Sequence, residues 1–511
     1  MIGGSGDDLL IGGNEVVAAF NNRSFVDYQN AAGGIKASLS ETSTVTGDSS
    51  VGTDTLVRID GIKGSEFDDV FVADKSFRDV AGGKSIRIEG RGGDDTIIGN
   101  GSTKAFYRSA NAAVTVDLAT GVAQGTDAGD VAGIGMDTLS GVDRIVGSGF
   151  DDTLLGSDID DREEFSGGAG DDYIDGRGGG WDRASYLMDD AGVIANLSSS
   201  AVTIAGDTVA AGTARDGFGD TDTLVNIESL RSSLHDDVLI GSDGDNDFRI
   251  EGGSNIVDGG LGSDRINYKT RQDGGVTVDL DAGSATNALG GTDTLTSIEN
   301  VRGSRFDDVI TGDSQDNYLD AGDGDDVVNG GAGADRVNGG DGNDRLDGGA
   351  GADQFIGSQG NDTYRFGLGD DVIDYSDLRE AITLIRGGSV DKGLGGVDTF
   401  QDFYEKIIAT RASDDWIDGI TGGGEIASLV ANLSTEKLTV SNLPGVGSFS
   451  SQIEGFENVR GTNNADRISG DAKANQLIGN GGNDEIIGGG GNDSLNGGAG
   501  NDRLEGGSGN A

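Results

Sequence analysis

The sequence predicts an all-β protein, a β-solenoid of short stacked coils, and three observations carry that prediction. Gly supplies 95 of the 511 residues while Pro occurs once. A nine-residue period, Gly-Gly-x-Gly-x-Asp-x-U-x with U a large apolar residue, runs through long stretches of the chain. Hydrophobic residues make up 34% and aromatic residues 5%, too few for a thick globular core but enough for a thin ladder. The single Pro excludes collagen, which needs abundant Pro and Gly at every third position.

Each half of the nonapeptide has its own conformation. The Gly-rich half enters left-handed backbone regions without penalty and reads as a turn. The x-U-x half alternates polar, apolar, polar and reads as a three-residue strand with one side chain inward. Two nonapeptides make one coil of turn, strand, turn, strand, and stacked coils give two short parallel sheets. The period is clearest over 461–511 and 303–374. In the latter run the sixth position is Asp308, Asn317, Asp326, Asp335, Asp344, Asp353, Asp362 and Asp371. Its eighth position is Ile310, Leu319, Val328, Val337, Leu346, Phe355, Tyr364 and Ile373. Isolated copies stand at 3–11, 90–98, 147–155, 167–175 and 259–267.

A longer period lies on top. The phrase Asp-Thr-Leu-x-x-U-[Asp/Glu] starts at Asp54, Asp137, Asp222 and Asp293, with a weaker relative at Asp398. Each strong copy leads into a nonapeptide turn. Upstream stands a short alternating strand (115–118, 194–197, 277–280, 430–433), preceded by Tyr28, Tyr107, Tyr186, Tyr268 or Tyr375. The chain thus divides into about four long units of about 80 residues over 1–302, a regular nonapeptide roll over 303–374, an irregular longer unit over 375–460 and a C-terminal nonapeptide roll over 461–511. No linker separates them, so the long units are expected to continue the same solenoid. The chain begins inside one nonapeptide and stops partway through another, which reads as a fragment or as a protomer whose ends continue elsewhere.

Asp and Glu total 89 against 36 Lys and Arg, a net charge of −53. Such a polyanion repels nucleic acid and anionic membrane and invites cations. With no Cys and a single His, disulfides, thiolate zinc sites and HExxH chemistry are excluded. No GxSxG elbow occurs, no apolar run is long enough to span a membrane, and the first residues do not read as a signal peptide. Stacking puts every second sixth-position residue in one column: Asp308, Asp326, Asp344 and Asp362 on one side, Asn317, Asp335, Asp353 and Asp371 on the other. At a spacing of ~4.8 Å such carboxylates repel one another strongly. Hard oxygen donors in flexible geometry suit calcium better than magnesium, and transition metals would want the missing His and Cys. Low hydrophobicity with high net charge is also the signature of disorder. The chain is therefore expected to be unfolded without calcium and folded with it.

These nonapeptides, as at 330–338, 339–347, 488–496 and 497–505, resemble the RTX or haemolysin-type calcium-binding repeat. The resemblance implies a right-handed parallel β-roll holding multiple Ca²⁺ between successive turns, in a bacterial protein exported by type I secretion. Carried onto this chain, the ligands are the sixth-position carboxylates Asp8, Asp69, Asp95, Asp152, Asp172, Asp237, Asp264, Asp308, Asp326, Asp335, Asp344, Asp353, Asp362, Asp371, Asp466, Asp484, Asp493 and Asp502. Carbonyls of the turns complete the sites, at Gly330, Gly331, Gly333, Gly339, Gly340, Gly342, Gly348, Gly349, Gly351, Gly488, Gly489, Gly491, Gly497, Gly498 and Gly500. Asn317 and Asn475 replace the Asp and are expected to weaken their sites. Residues 156–164 lack the apolar eighth residue.

The function that follows is a secreted calcium-binding structural repeat protein of a bacterial cell surface, in a surface layer, an adhesin or an extracellular filament. It would fold on binding calcium outside the cell and would not be an enzyme. Its partners would be calcium ions and either further copies of itself, end-to-end or lateral, or cell-surface polysaccharide, with no nucleic acid and no membrane span. The alternative is the calcium-binding module of a secreted enzyme such as a polysaccharide epimerase or lyase, a lipase or a protease. A third reading hides a catalytic β-helix in the long units. Repetition favours the first, because no unit carries a polar cluster of its own. His235, standing where Phe67, Phe150 and Phe306 stand in equivalent phrases, reads as a packed ring beside a turn. Arg336, Arg345, Arg467 and Arg503 fall at the outward seventh position and moderate the surface charge.

Overall fold

The x-U-x tripeptide is the element from which the protein is built. The computed structural model describes residues 1–2, 4–12, 24–77, 85–127, 129–159, 162–204, 206–269, 274–385, 388–402, 404–412, 414–419, 428–443 and 447–509. Among them the structure is all strand and turn, apart from one 3₁₀ turn at Gly393–Gly395. The chain forms two compact units, one built around Met1–Ile266 and Leu289–Ile298, the other around Asn267–Lys269, Gly274–Ala288 and Glu299–Ala511.

In the second unit the nonapeptide strands stack in parallel as two ladders. One runs through Thr277–Asp279, Val309–Thr311, Val327–Asn329, Arg345–Asp347 and Thr363–Arg365. The other runs through Asn300–Arg302, Tyr318–Asp323, Arg336–Asp341, Gln354–Ile356, Val372–Asp374 and Lys406–Ile408. The middle residue of each strand points between the ladders. Ile310, Val328, Leu346, Tyr364, Leu319, Val337, Phe355 and Ile373 are 0–2% exposed, and each is worth about 1.5–3 kcal/mol of burial. At the end of this run the core thickens: Phe355, Tyr364, Phe366, Phe400, Tyr404 and Phe449 pack with ring centroids 5.2–6.2 Å apart. The first unit is laid out alike, with Leu154, Ile174 and Leu224 stacked in one ladder and Ile145, Phe165, Ala184, Leu230 and Phe248 in the other. Each unit is a parallel β-roll.

The longer period is a three-stranded antiparallel meander set into the roll. Val114–Asp117 pairs with Val122–Gly125, which pairs with the start of Met136–Val146. The first strand continues the parallel ladder onto Thr153–Leu155, and the third lies parallel to Thr96–Phe106. The same meander recurs at Lys36–Leu39, Ser43–Thr46 and Thr53–Val57, and at Ile194–Asn196, Thr213–Arg215 and Thr221–Val225. It recurs again at Thr383–Ile385, Ser389–Asp391 and Val397–Phe400, and at Ser428–Asn432, Lys437–Leu443 and Gly447–Glu454. In four of these five copies the Asp-Thr-Leu phrase or its relative at Asp398 is the third strand. Within each unit the longer segments therefore extend the ladders.

Two expectations need correction. Residues 156–164 are not a nonapeptide without a core residue: the strand there is Glu164–Ser166 with Phe165 fully buried, because extra residues in the turn shift the register. His235 is exposed rather than packed, and so are Phe67, Phe150 and Phe306 at 40–46%. The fourth position of these turns points outward.

Candidate metal centre

Parallel stacking places each sixth-position carboxylate beside the backbone of the coil before it. The N–H of Asp308 donates to Asp326 Oδ1 at 2.7 Å, that of Asp326 to Asp344 Oδ1 at 2.9 Å, and that of Asp344 to Asp362 Oδ1 at 3.1 Å. On the opposite edge Asn317, Asp335 and Asp353 donate in turn to Asp335, Asp353 and Asp371, each at 2.9 Å. The C-terminal roll repeats the pattern from Asp466 to Asp484 to Asp502 and from Asn475 to Asp493. The first unit has Asp69 to Asp95, Asp152 to Asp172, and Asn246 to Asp264. One oxygen of each carboxylate is thus committed to holding coils in register.

The other oxygen is not. Oδ2 of Asp8, Asp95, Asp172, Asp326, Asp335, Asp344, Asp353, Asp484 and Asp493 is buried and has no hydrogen-bond partner among the described residues. A buried, unpartnered carboxylate oxygen is costly, and so many in line call for a cation. The first Gly of the nonapeptide faces the same spot. A methyl group on Gly330 would stand 2.4 Å from Asp335 Oδ2 and 2.5 Å from the Gly348 carbonyl oxygen of the next coil. On Gly348 it would meet Asp353 Oδ2 at 2.4 Å and the Phe366 carbonyl at 2.7 Å, and on Gly488 Asp493 Oδ2 at 2.5 Å and the Gly506 carbonyl at 2.6 Å. On Gly339 and Gly497 it would meet Asp344 Oδ2 at 2.2 Å and Asp502 Oδ2 at 2.5 Å. A hard carboxylate oxygen and a hard carbonyl oxygen converge where only Gly leaves room. Among the described residues no three Asp, Glu or His side chains converge on one point, so carbonyls must supply much of any coordination sphere. That donor set fits calcium.

The remaining turn glycines shape the loop. Gly331, Gly333, Gly340, Gly342, Gly349, Gly351, Gly489, Gly491, Gly498 and Gly500 have φ between 91° and 147°, and a side chain there would strike a carbonyl of the preceding coil. The carbonyls of Gly331, Gly349 and Gly489 accept N–H bonds from Ala350, Leu368 and Ser508 of the next coil.

The columns have ends, and the ends are protein-built. Asp69, Asp152, Asp237, Asp308 and Asp466 each open a column. Ser304 donates its N–H to Asp308 Oδ2 at 2.6 Å and its hydroxyl to Oδ1 at 2.8 Å, and Val276 N–H reaches Oδ1 at 2.7 Å. Ser65, Ser148, Ser233 and Thr462 do the same for Asp69, Asp152, Asp237 and Asp466. On the other edge the opening residue is an Asn: Nδ2 of Asn317, Asn475 and Asn246 donates to the carbonyls of Glu299, Glu457 and Glu228 at 2.8–3.1 Å. At the closing end stands the Asp-Thr-Leu aspartate. Asp54, Asp137, Asp222, Asp293 and Asp398 accept the N–H of Asp8, Asp95, Asp172, Asn255 and Asp362. Tyr28 and Tyr375 hydroxyls donate to Asp54 and Asp398 at 2.9 and 2.7 Å, and Tyr107 and Tyr186 stand beside Asp137 and Asp222. An acid at the end of the phrase closes the second column: Glu228, its seventh residue, and Glu405, one position beyond the seventh, accept the N–H of Asp182 and Asp371.

Electrostatics follow this division. Burial, the largest cause throughout, pushes Asp95 and Asp172 up to about 9 and Asp326 to about 8, with neighbouring carboxylates adding to it. Asp344 rises to about 7, and Asp335, Asp353 and Asp371 to about 6. Among the capped carboxylates, burial raises Asp152, Asp237 and Asp466 to about 6, the same as the uncapped Asp335, Asp353 and Asp371, with the Ser and Thr hydrogen bonds opposing the rise by favouring the charged form.

Sequence periodicity missed Glu163, Asp182 and Asp415. Ser157 and Thr410 cap Glu163 and Asp415 as the other Ser and Thr residues do, and Asp182 Oδ1 accepts the N–H of Glu163 at 3.0 Å. Lengthened turns displace them from the sixth position of a strict count. The two acids of the Asp-Thr-Leu phrase were visible as a repeat, but their place in the columns needed the structure.

These features define a calcium-binding β-roll. The model of the RTX calcium-binding nonapeptide repeat matches residues 1–15, 87–103, 137–162, 302–337, 338–373, 460–495 and 478–510, so these stretches of the chain are RTX repeats, a repeat of the calcium-binding kind. No curated protein matches the chain. Among the described residues no helix is long and apolar enough to cross a membrane.

Proposed function

We propose that this chain is a calcium-stiffened structural roll of a secreted bacterial surface protein, in a surface layer, an adhesin or an extracellular filament, without catalysis of its own. The observation that carries this reading is the line of buried, unpartnered Asp Oδ2 atoms repeated from coil to coil. It makes the metal part of the framework rather than of one local centre. Ligands assembled only in the folded roll convert calcium affinity into folding energy, so the chain would travel unfolded and fold where calcium is abundant. Repetition also supports a structural role, since the same column is built again in each long unit. Assembly with further copies or with surface polysaccharide belongs to this proposal. Electron microscopy of the purified chain with calcium and with chelator tests it: ordered filaments or sheets that form with calcium and dissolve on chelation are expected. Monodisperse particles in both conditions, or turnover of a uronate polymer, would count against it.

A further inference from the structure

One step of the longest column is built differently from the rest. Asp362 donates its N–H to Asp398 Oδ1 at 3.1 Å, as Asp326 and Asp344 donate to their successors. Yet Asp362 Oδ2 is not an orphan, whereas Oδ2 of Asp326 and of Asp344 is: it accepts long hydrogen bonds from the Ser358 hydroxyl at 3.3 Å and the Tyr364 hydroxyl at 3.5 Å, and a shorter one from a lysine. The Lys392 ammonium stands 3.0 Å from Asp362 Oδ2, binds Asp398 Oδ1 and donates to the Ser358 carbonyl at 2.7 Å. Its partners are one carboxylate oxygen from each of two successive coils and one turn carbonyl, the donor types offered at the other steps. An ammonium has three N–H donors, and all three are used. The side chain is 1% exposed. Lys392 reaches this place from the end of the meander strand Ser389–Asp391. A neutral version occurs in the first unit: Asn255 Nδ2 donates to the Gly252 carbonyl at 3.0 Å and to Asp293 Oδ1 at 2.7 Å. At the equivalent closing steps of Asp8, Asp95 and Asp172, no side chain among the described residues donates to Oδ2.

We infer that Lys392 is a built-in cation that takes the place of calcium between Asp362 and Asp398, so that this step closes without metal. The inference rests on the calcium reading of the columns and adds that the chain sets its own limit on where the metal goes. A compact +1 ammonium here leaves no room or unsatisfied oxygen for a divalent ion, while its removal exposes two facing carboxylates and a carbonyl, a hard-oxygen set.

The test is calorimetric titration of calcium into the full-length chain, comparing wild type, Lys392→Met, Lys392→Gln and the double variant Lys392→Met/Asp398→Asn. Lys392→Met is expected to bind one more calcium ion per chain than wild type. Lys392→Gln, which retains an N–H donor, and the double variant, which lacks one carboxylate, are expected to show the wild-type number. Wild type that binds calcium beside a Lys392→Met chain of unchanged stoichiometry overturns the inference and leaves the calcium reading intact. Wild type that binds no calcium overturns both. A Lys392→Met chain that stays unfolded in saturating calcium, as judged by circular dichroism, also overturns it, because calcium would then be unable to replace the ammonium.

Discussion

At the residue scale, the protein turns on the two oxygens of one Asp. Oδ1 holds the preceding coil through its N–H, and Oδ2 waits for a cation. Asp335→Ala and Asp344→Ala should therefore each loosen calcium and weaken the coil contact. Calcium titration should place both well below Arg336→Ala, whose side chain is exposed and stacks over the Tyr318 ring at 5.3 Å, a contact worth about 0.5–1 kcal/mol. Equal loss of affinity in all three would mean that the register is wrong. Asn317→Asp removes the amide that bonds the Glu299 carbonyl at 2.9 Å and sets an anion against that carbonyl. It should destabilise the metal-free chain by about 1–3 kcal/mol and add a calcium ion on titration. Gly330→Ala puts a methyl group on both candidate ligands of its step, so even this smallest substitution should abolish calcium uptake there.

At the element scale, the nonapeptide strand and turn were legible in the sequence because their period is strict and each position has one physical job. The buried middle residue and the positive φ of Gly331 and Gly333 follow directly from the pattern. The caps were not legible in that way. Ser304 looks like an ordinary turn residue until Val276 and Asp308, 32 residues apart in the chain, are brought together by the fold. Tyr375 recurs at the right place in the longer period, but only the fold shows its hydroxyl on Asp398. Glu163 and Asp182 were hidden by turns a residue or two longer than the count allows. Tyr375→Phe should leave Asp398 Oδ2 without its donor. Its effect, about 1–3 kcal/mol, should appear as a lower urea midpoint in calcium and in chelator alike, since the cap needs no metal. A shift seen only in calcium would contradict that assignment.

At the scale of the whole molecule, a net charge of −53 meets columns of carboxylates that burial pushes to about 6–9. Their ordinary value is 3.8, so the metal-free roll binds protons that the unfolded chain releases. The stability these carboxylates contribute is fully present below about pH 4 and is lost as pH rises through 6–9. Acid should thus replace calcium in part: in chelator, β-structure should increase from pH 8 to pH 5, while in saturating calcium the same change should leave it nearly constant. If calcium completes the fold, circular dichroism at pH 8 with and without excess chelator will show it. The chain should give a β-sheet spectrum in calcium and a largely unfolded spectrum in chelator, with the β-sheet spectrum restored when calcium is returned. The same β-content in both conditions would contradict it.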